Sequence, residues 1–280
     1  MPAEKNVIVV KSNKLIEAGY RLDLIEQRII LAAIVEARET QKGLGEGFIT
    51  LEAKRFAQTF GMEGGGVYGQ LKEAMATLFN RFIVVRDIHP ESGKERVTQM
   101  RWISSASYID GAGAVQIRFA QDLVPYISRL ETEFTSYRLE KIGHMTSAHA
   151  VRLYELLVQY LSIGKRECEV AWLKEALGIT GEYKAIKDFK KWVIDVATAQ
   201  INEHSDIEVS YTQRKTGRAV THLIFAIKAK AESKREKPPK SSKHTVIDQA
   251  YIEKHAIPGE SYDRAYRRLL EEAGQRRLVA

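Results

Sequence analysis

The sequence has little cysteine: a single residue, Cys168, in a chain of 280. One thiol can form neither an intrachain disulfide nor a multi-cysteine zinc site, so the composition indicates a reducing compartment. Cys168 itself is predicted to be a small, half-buried hydrophobic residue beside a strand.

Long apolar runs are also missing. No stretch approaches the roughly 18 apolar residues that a membrane-spanning helix needs. The opening residues, MPAEKNVIVVKSNKLIEAGY, hold a short apolar run but lack a charged n-region, a long h-region and a cleavage site. We therefore expect a cytoplasmic protein that is neither secreted nor inserted into a membrane.

Catalytic motifs are missing as well. The sequence contains no His-x-x-x-His zinc motif with a glutamate, no nucleophile elbow and no cysteine with an obvious histidine base. His144 and His149 miss the i, i+4 spacing that places two ligands on one helix face. The turn GMEGGGVYG lacks the Gly-Lys-[Ser/Thr] ending of a nucleotide-binding loop. We expect no enzyme activity, no cofactor and no bound metal.

The composition that remains is that of a soluble globular protein, with 44% hydrophobic and 28% charged residues. Its length suits one large or two modest domains, each able to bury its own core. Lysine and arginine number 43 against 36 aspartates and glutamates, a net charge of +7. This excess favours an acidic partner such as nucleic acid.

An internal repeat organises the chain. FAQTFGM (56–62) resembles LKEALGI (173–179), and Gly61 and Gly178 match as the residue that follows a helix end. Each is followed by a turn and a helix that opens with tyrosine, YGQLKEAMATLF and YKAIKDFKKWVI. A longer apolar helix precedes each copy; its predicted N-cap is Asp23 in the first copy and Thr146 or Ser147 in the second.

A β-hairpin follows the three helices of each copy, around the turns HPESGK and QRKTGR. Three helices and a hairpin form a winged helix, whose third helix enters the major groove while the hairpin touches the DNA backbone. The predicted fold is therefore α+β, with two tandem winged-helix domains (1–130 and 131–232) and a C-terminal tail (233–280). GAVQIRFAQDLVPYISRLE could extend the first sheet, and YDRAYRRLLEEA predicts a short tail helix.

The third helix of the second copy, EYKAIKDFKKWVIDVATAQIN (182–202), is amphipathic. At about 100° per residue its apolar side comprises Ile186, Phe189, Val193, Val196 and Ala197. Its other side comprises Lys184, Lys187, Asp188, Lys191 and Asp195. By itself such a face is typical of a solvated helix, but the neighbouring hairpin tip is also basic, with Arg214, Lys215 and Arg218. The convergence of two positive elements favours DNA contact.

The candidate contacts divide by chemistry. The first group is placed to reach base edges, where lysine donates to guanine and a carboxylate accepts from cytosine; it comprises Lys184, Lys187 and Asp188. Tyr183, which opens the helix, is a further candidate for DNA contact. The second group neutralises phosphates; it comprises Lys191, Arg214, Lys215 and Arg218. Asp188 could equally pair along the helix with Lys184 or Lys191.

The first copy is less basic on its third helix. Its candidates are Tyr68, Gln70, Lys72 and Arg81 around the helix, with Lys94 and Arg96 at the hairpin tip. Glu73 would repel phosphate. This copy is either a weak binder of the DNA backbone or an interaction domain.

A family resemblance adds to these predictions. From Val9 to Ile34, VVKSNKLIEAGYRLDLIEQRIILAAI resembles the opening signature of the iteron-binding plasmid replication initiators, the Rep_3 family. AVRLYELL, DFKKWVIDVATAQINEHSDIEVSY and KTGRAVTHLIF resemble its second-domain motifs, in order, over roughly residues 7 to 228. The resemblance places the reading helix at Tyr183 and its wing at Arg214 to Arg218.

The resemblance also implies a function. Monomers of the family bind direct repeats, called iterons, at a plasmid origin, while dimers joined through the first domain often bind an inverted repeat and repress their own gene. Implied partners are the host replication initiator, the helicase and Hsp70-class chaperones. Two rivals are a nicking initiator, which needs a His-hydrophobe-His pair that the sequence lacks, and a winged-helix transcription regulator without a replication role.

Overall fold

The computed structural model describes residues 7–39, 47–63, 65–128, 133–230 and 268–269. The chain divides into two units, Met1–Lys230 and Ala231–Ala280. The tail helix predicted within the second unit lies outside the described residues except at Arg268 and Leu269, which are helical. Within the described ranges, no helix combines the length and apolar character required to cross a membrane.

The first copy contains five helices and seven strands in its described part. Its helices are α1 (Asn13–Glu17), α2 (Leu24–Glu39), α3 (Ala53–Thr59), α4 (Val67–Leu78) and α5 (Val124–Ile127). Its strands are β1 (Ile8–Ser12), β2 (Gly19–Tyr20), β3 (Ile49–Glu52), β4 (Phe82–Ile88), β5 (Glu95–Arg101), β6 (Ile103–Ile109) and β7 (Ala114–Phe119). The succession α2, α3, α4 and the hairpin β4–β5 is the predicted winged helix.

The second copy repeats this order. Its helices are α6 (Ala148–Val158), α7 (Val170–Ala176), α8 (Ile186–Phe189) and α9 (Asp195–His204), and a π-helical turn (Lys190–Ile194) joins the last two. Its strands are β8 (Phe134–Arg138), β9 (Lys165–Glu169), β10 (Ile207–Thr216) and β11 (Ala219–Ala229). The prediction of two tandem winged helices in an α+β fold is confirmed.

Local signals placed four helix ends correctly. Asp23 and Glu26 form a reciprocal capping box at the start of α2, with N···O distances of 2.7 and 2.8 Å. Ser147 caps α6 by accepting from the Ala150 amide. Gly61 and Gly178 follow α3 and α7 with positive φ, 59° and 68°, as predicted for residues beyond a helix end.

The extra strand of the first copy does not extend the hairpin sheet, so that prediction is wrong. The strand β7 pairs with β3 and β6 in a separate sheet, whereas the hairpin strand β4 pairs with β2 on one side and with β5 on the other. Trp102 lies fully buried between β5 and β6, and the chain leaves one sheet for the other at this residue.

The strand β9 was not predicted. It pairs with β11 and makes the second copy's sheet three-stranded, in the order β10-β11-β9. Cys168 lies within this strand and is 2% exposed, so the half-buried position expected for it is wrong. Burial raises the pKa of its thiol, which makes it a poor nucleophile.

The two copies meet around a buried carboxylate, Glu155 on α6, which is fully shielded from solvent. It accepts hydrogen bonds from Lys11 at 2.7 Å and from Arg152 at 2.9 Å, and also from Tyr20 and Tyr137. These partners come from β1, β2, β8 and α6, so one side chain ties together elements that are distant in sequence.

Arg152 extends this cluster to the backbone. Its Nη2 donates to the carbonyls of Ile16, Ala18 and Ala176 at 2.9, 3.2 and 3.0 Å. The carbonyls belong to the ends of α1 and α7, and since each would otherwise be an unpaired buried acceptor, Arg152 satisfies helix ends from both copies.

The predicted domain boundary near residue 131 falls between two strands that pair. The antiparallel register of β1 and β8 aligns Val10 with Ser136. The strand that follows the boundary is thus hydrogen-bonded to the strand that opens the chain. The boundary itself stays a prediction.

Gly178 offers a test of how closely the copies pack. A Cβ at this position would lie 2.7 Å from the Tyr20 carbonyl carbon and 2.8 Å from the Arg21 Cα, and its φ is positive. Gly178→Ala should therefore lower the free energy of unfolding by about 3 kcal/mol, from backbone strain plus overpacking. Gly181→Ala is the matched control, because Gly181 also has positive φ but meets nothing within 4 Å. It should lose only about 1 kcal/mol, and equal losses in urea unfolding would contradict the contact.

Glu155 offers a test by pH. Burial alone would raise the pKa of this carboxyl, but Lys11 and Arg152 outweigh burial and lower it. Glu155→Gln leaves two buried cations without a counter-charge and should cost about 3–5 kcal/mol at neutral pH. Because the folded pKa lies below the unfolded value, this difference is complete above about pH 5 and shrinks as pH falls through the folded pKa. Urea unfolding of both proteins from pH 7 to pH 3 measures it, with the exposed Glu95→Gln as control; a constant difference would contradict the charged cluster.

Candidate nucleic-acid interface

The third helix of the second copy begins later than predicted. It starts at Ile186, with Ala185 as N-cap. Tyr183 has a positive φ of 49°, and Lys174 donates to the carbonyls of Glu182 and Tyr183 at 3.1 and 2.8 Å. A right-handed helix requires negative φ, so the chain cannot be helical at Tyr183, and Lys174 holds the loop through these two carbonyls. The placement of Tyr183 and Lys184 in the first helical turns is therefore wrong, and both lie in the loop before the helix.

The helix is continuous from 186 to 204 but contains the π turn at Lys190–Ile194, and we call it the π-interrupted helix. A π turn takes more residues than an α turn, so it rotates every later side chain relative to a regular helix. Ile194 is consequently buried, and Val196, expected on the apolar side, is 38% exposed. Trp192, within the turn, is 57% exposed.

The exposed face of this helix carries the predicted lysines. Lys187 and Lys191 are exposed, and among the described residues no acidic group lies within ion-pair distance of Lys187. The Lys191 ammonium lies 4.4 Å from the centre of the Trp192 ring. Asp188 forms no ion pair with Lys184 or Lys191 in the described part of the chain, so the pairing considered for it is not observed.

The hairpin β10–β11 lies beside the helix, and hydrogen bonds join the two: Asn202 near the helix end exchanges a pair with the Val209 backbone, and two more lie closer to the exposed face. Lys190 donates to Gln213 at 3.0 Å, and Tyr211 donates to Asp195 at 2.6 Å. Neither contact was predicted, because each depends on the π turn and on the register of β10. Together they hold the helix and the hairpin, here called the wing, in a fixed relation.

The three basic residues of the wing are not equivalent. The strands continue to Thr216 and resume at Ala219, so Arg214 and Lys215 lie on β10 and only Arg218 lies in the turn. Arg214 donates to Glu167 on β9 at 2.6 Å, and this bond lowers the pKa of the carboxyl. Lys215 and Arg218 are exposed and, within the described ranges, have no acidic partner.

The first copy neutralises most of its own candidate cations. Lys72 pairs with Asp110 at 3.0 Å, Arg81 with the buried Glu26 at 2.9 Å, and Arg96 with Asp87 at 2.8 Å. These acids lie 38, 55 and 9 residues away in sequence.

The remaining candidates of the first copy are Tyr68, Gln70 and Lys94. Tyr68 donates to Asp110 at 2.7 Å, and this hydrogen bond raises the pKa of its hydroxyl to about 12. Gln70 and Lys94 are exposed, and Lys94 has no ion pair in the described part of the protein. The positive surface that is free to meet an acidic partner therefore lies mainly on the second copy.

No site for a metal is evident in the described residues, where no three His, Cys, Asp or Glu side chains cluster in a way that could hold an ion.

Comparison with known proteins matches both copies. A family model described as "Initiator Replication protein, WH1" matches residues 8–158, and "Initiator Rep protein, WH2" matches residues 169–227. An uncharacterized 27.6 kDa protein of Escherichia coli is 25% identical over 230 residues, which cover 79% of this chain and 95% of that protein.

Two solved structures are also similar. The Pi initiator protein, crystallised in complex with iteron DNA, aligns over 82% of this chain and 100% of its own with a TM-score of 0.63 and 21% identity. The WH1 domain of MSBI1.176, a replication protein isolated from a multiple sclerosis patient, is 40% identical over 41% of this chain and 88% of its own, with a TM-score of 0.35. The first of these likenesses shows the fold.

The WH1 model alone spans more than half of the chain, and the WH2 model covers the copy whose helix and wing expose their lysines and arginines. The chain belongs to the Rep_3 family of plasmid replication initiator proteins.

Proposed function

We propose that this initiator acts by binding directly repeated sites, iterons, at a plasmid origin through the π-interrupted helix and the wing of its second copy. The observation that carries the proposal is the exposed and unneutralised charge of Lys187, Lys215 and Arg218 on two elements that are hydrogen-bonded to each other. The Pi initiator protein, which shares the fold, was crystallised with iteron DNA.

We divide the contacts by their positions on the helix and the wing. Lys187 and Asp188 lie in the first turn of the helix, the part that reaches base edges when a winged helix docks in the major groove. Lys191, Lys215 and Arg218 are assigned to phosphates, which fix register without reading sequence. Tyr183 and Lys184, in the loop before the helix, remain DNA contacts of this proposal, while Arg214 positions the wing through Glu167.

The first copy is assigned a secondary part in DNA binding. Its candidates Lys72, Arg81 and Arg96 are ion-paired, so we assign contact with the DNA backbone to Gln70 and Lys94. Two modules about 34 Å apart, one helical turn, would cover one repeat on one face of the DNA. In line with the family, we assign dimerisation to this copy, and repression of the protein's own gene to the dimer.

Initiation by this route requires no reaction catalysed by the protein. Copies bound along a repeat array bend the DNA, and the strain favours opening of an adjacent AT-rich tract, whose flexible steps deform easily. Host initiator, helicase and Hsp70-class chaperones are the partners that the family resemblance adds. We propose that the chain catalyses no reaction of its own.

Footprinting on the source plasmid tests the proposed function. The purified protein should protect a set of direct repeats, each about two helical turns long, beside an AT-rich tract. The recovered DNA should be uncut and free of covalently attached protein. Protection of a lone inverted repeat at a promoter, with no protected direct repeats, would instead indicate a transcription regulator.

A pair of substitutions tests the division between base and phosphate contacts. Lys187→Ala should weaken binding to the protected repeat by about 1–3 kcal/mol while leaving binding to random DNA nearly unchanged, because it removes a base contact. Arg218→Ala should weaken binding to both DNAs alike and reduce the slope of log K against log salt by about one. Fluorescence anisotropy titrations across a salt series measure both, and equal losses for Lys187→Ala on the two DNAs would contradict base reading.

A further inference from the structure

The π-interrupted helix exposes apolar side chains that have no role in the DNA contacts proposed for its lysines. Trp192 is 57% exposed and Val196, four residues later, is 38% exposed. Ala199 continues the exposed side. Residues one helical turn apart lie on the same face of a helix, so these side chains form one apolar face, called the patch below. Apolar area left in water costs about 25 cal/mol per Å², and on an element assigned to binding such a face is a candidate contact surface.

The π turn is what brings this patch to the surface. Val196 follows Phe189 by seven residues, two turns of a regular α-helix, and would lie with it on the buried side. Phe189 is fully buried, whereas Val196 is exposed because the π turn rotates the later residues. Single π turns are rare and concentrate at functional sites. Ile194 is buried in the core of the domain in place of Val196.

The surroundings of the patch decide what kind of partner fits it. Lys187 and Lys191 flank it, and the Lys191 ammonium rests over the Trp192 ring at 4.4 Å. The partner must therefore offer negative charge next to an apolar group. Double-stranded DNA does so in the major groove, where the thymine C5-methyl lies between two rows of phosphates.

We propose that Trp192 and Val196 read thymine methyl groups in the protected repeat. The inference rests on the proposed function, because it requires the helix to enter the major groove. Two carboxylates border the patch, Asp188 and Asp195, and the second accepts a hydrogen bond from Tyr211 on the wing. Carboxylates repel phosphates but accept from cytosine N4, so this face suits base edges, with the phosphates left to the lysines.

The test replaces single thymines of the footprinted repeat by deoxyuridine, which removes only the methyl group. The wild-type protein should lose about fourfold in affinity at each contacted position. At the thymines that Trp192 contacts, Trp192→Ala should bind the thymine and deoxyuridine duplexes with equal affinity. Val196→Ala should show the same loss of discrimination at a neighbouring set of thymines. Both residues are surface-exposed, so both variants should retain the wild-type unfolding midpoint, which circular dichroism verifies.

Ile163→Ala is the matched control, because Ile163 is an apolar residue of the second copy that is 68% exposed and lies off the helix. It should discriminate thymine from deoxyuridine as the wild type does. The inference is overturned if Trp192→Ala and Val196→Ala still discriminate as the wild type does, or if no substitution of thymine weakens wild-type binding. Either result would assign the patch to the DNA backbone or to a protein partner while leaving the footprint, and with it the proposed function, intact.

Discussion

One carboxylate, Glu155, holds the two winged helices together. It lies in the middle of α6 with no access to water, where an isolated charge is unstable. Lys11 and Arg152 compensate its charge, and two tyrosines bind its remaining acceptor positions. Arg152 in turn stacks on the Tyr20 ring at 3.8 Å and binds carbonyls at the ends of α1 and α7. If one winged helix moved relative to the other, the hydrogen bonds of this cluster would have to break or all of its residues would have to move together.

Interactions between neighbours in sequence were predictable. The caps at Asp23 and Ser147 and the glycines Gly61 and Gly178 are signals that act within a few residues, and the structure agrees with each. The hairpins are local patterns too, and both are present, but the second turn is shorter than predicted: β10 continues to Thr216, so Arg214 and Lys215 lie on a strand and not at the tip. The order of these elements was enough to derive two winged helices.

Interactions across long stretches of sequence were not predictable. The helix starts only at Ile186 because Tyr183 has a left-handed backbone, in a loop whose carbonyls Lys174 binds from eight and nine residues away. The exposed face of the helix depends on a π turn, which a fixed angle of about 100° per residue cannot represent. The charge of the first copy depends on acids such as Glu26, which lies 55 residues from Arg81. In each case the residue type was visible in the sequence and its partner was not.

The ion pairs of the first copy leave most of the candidate DNA-binding cations without an acidic partner, within the described ranges, on the second copy. A protein approaching DNA is steered by its unbalanced surface charge over distances of about a Debye length, well before any contact forms. Here that charge lies on the π-interrupted helix and the wing, while Lys72, Arg81 and Arg96 are held by their own acids. If the proposed function holds, we expect first encounters with DNA to be made by this helix and wing.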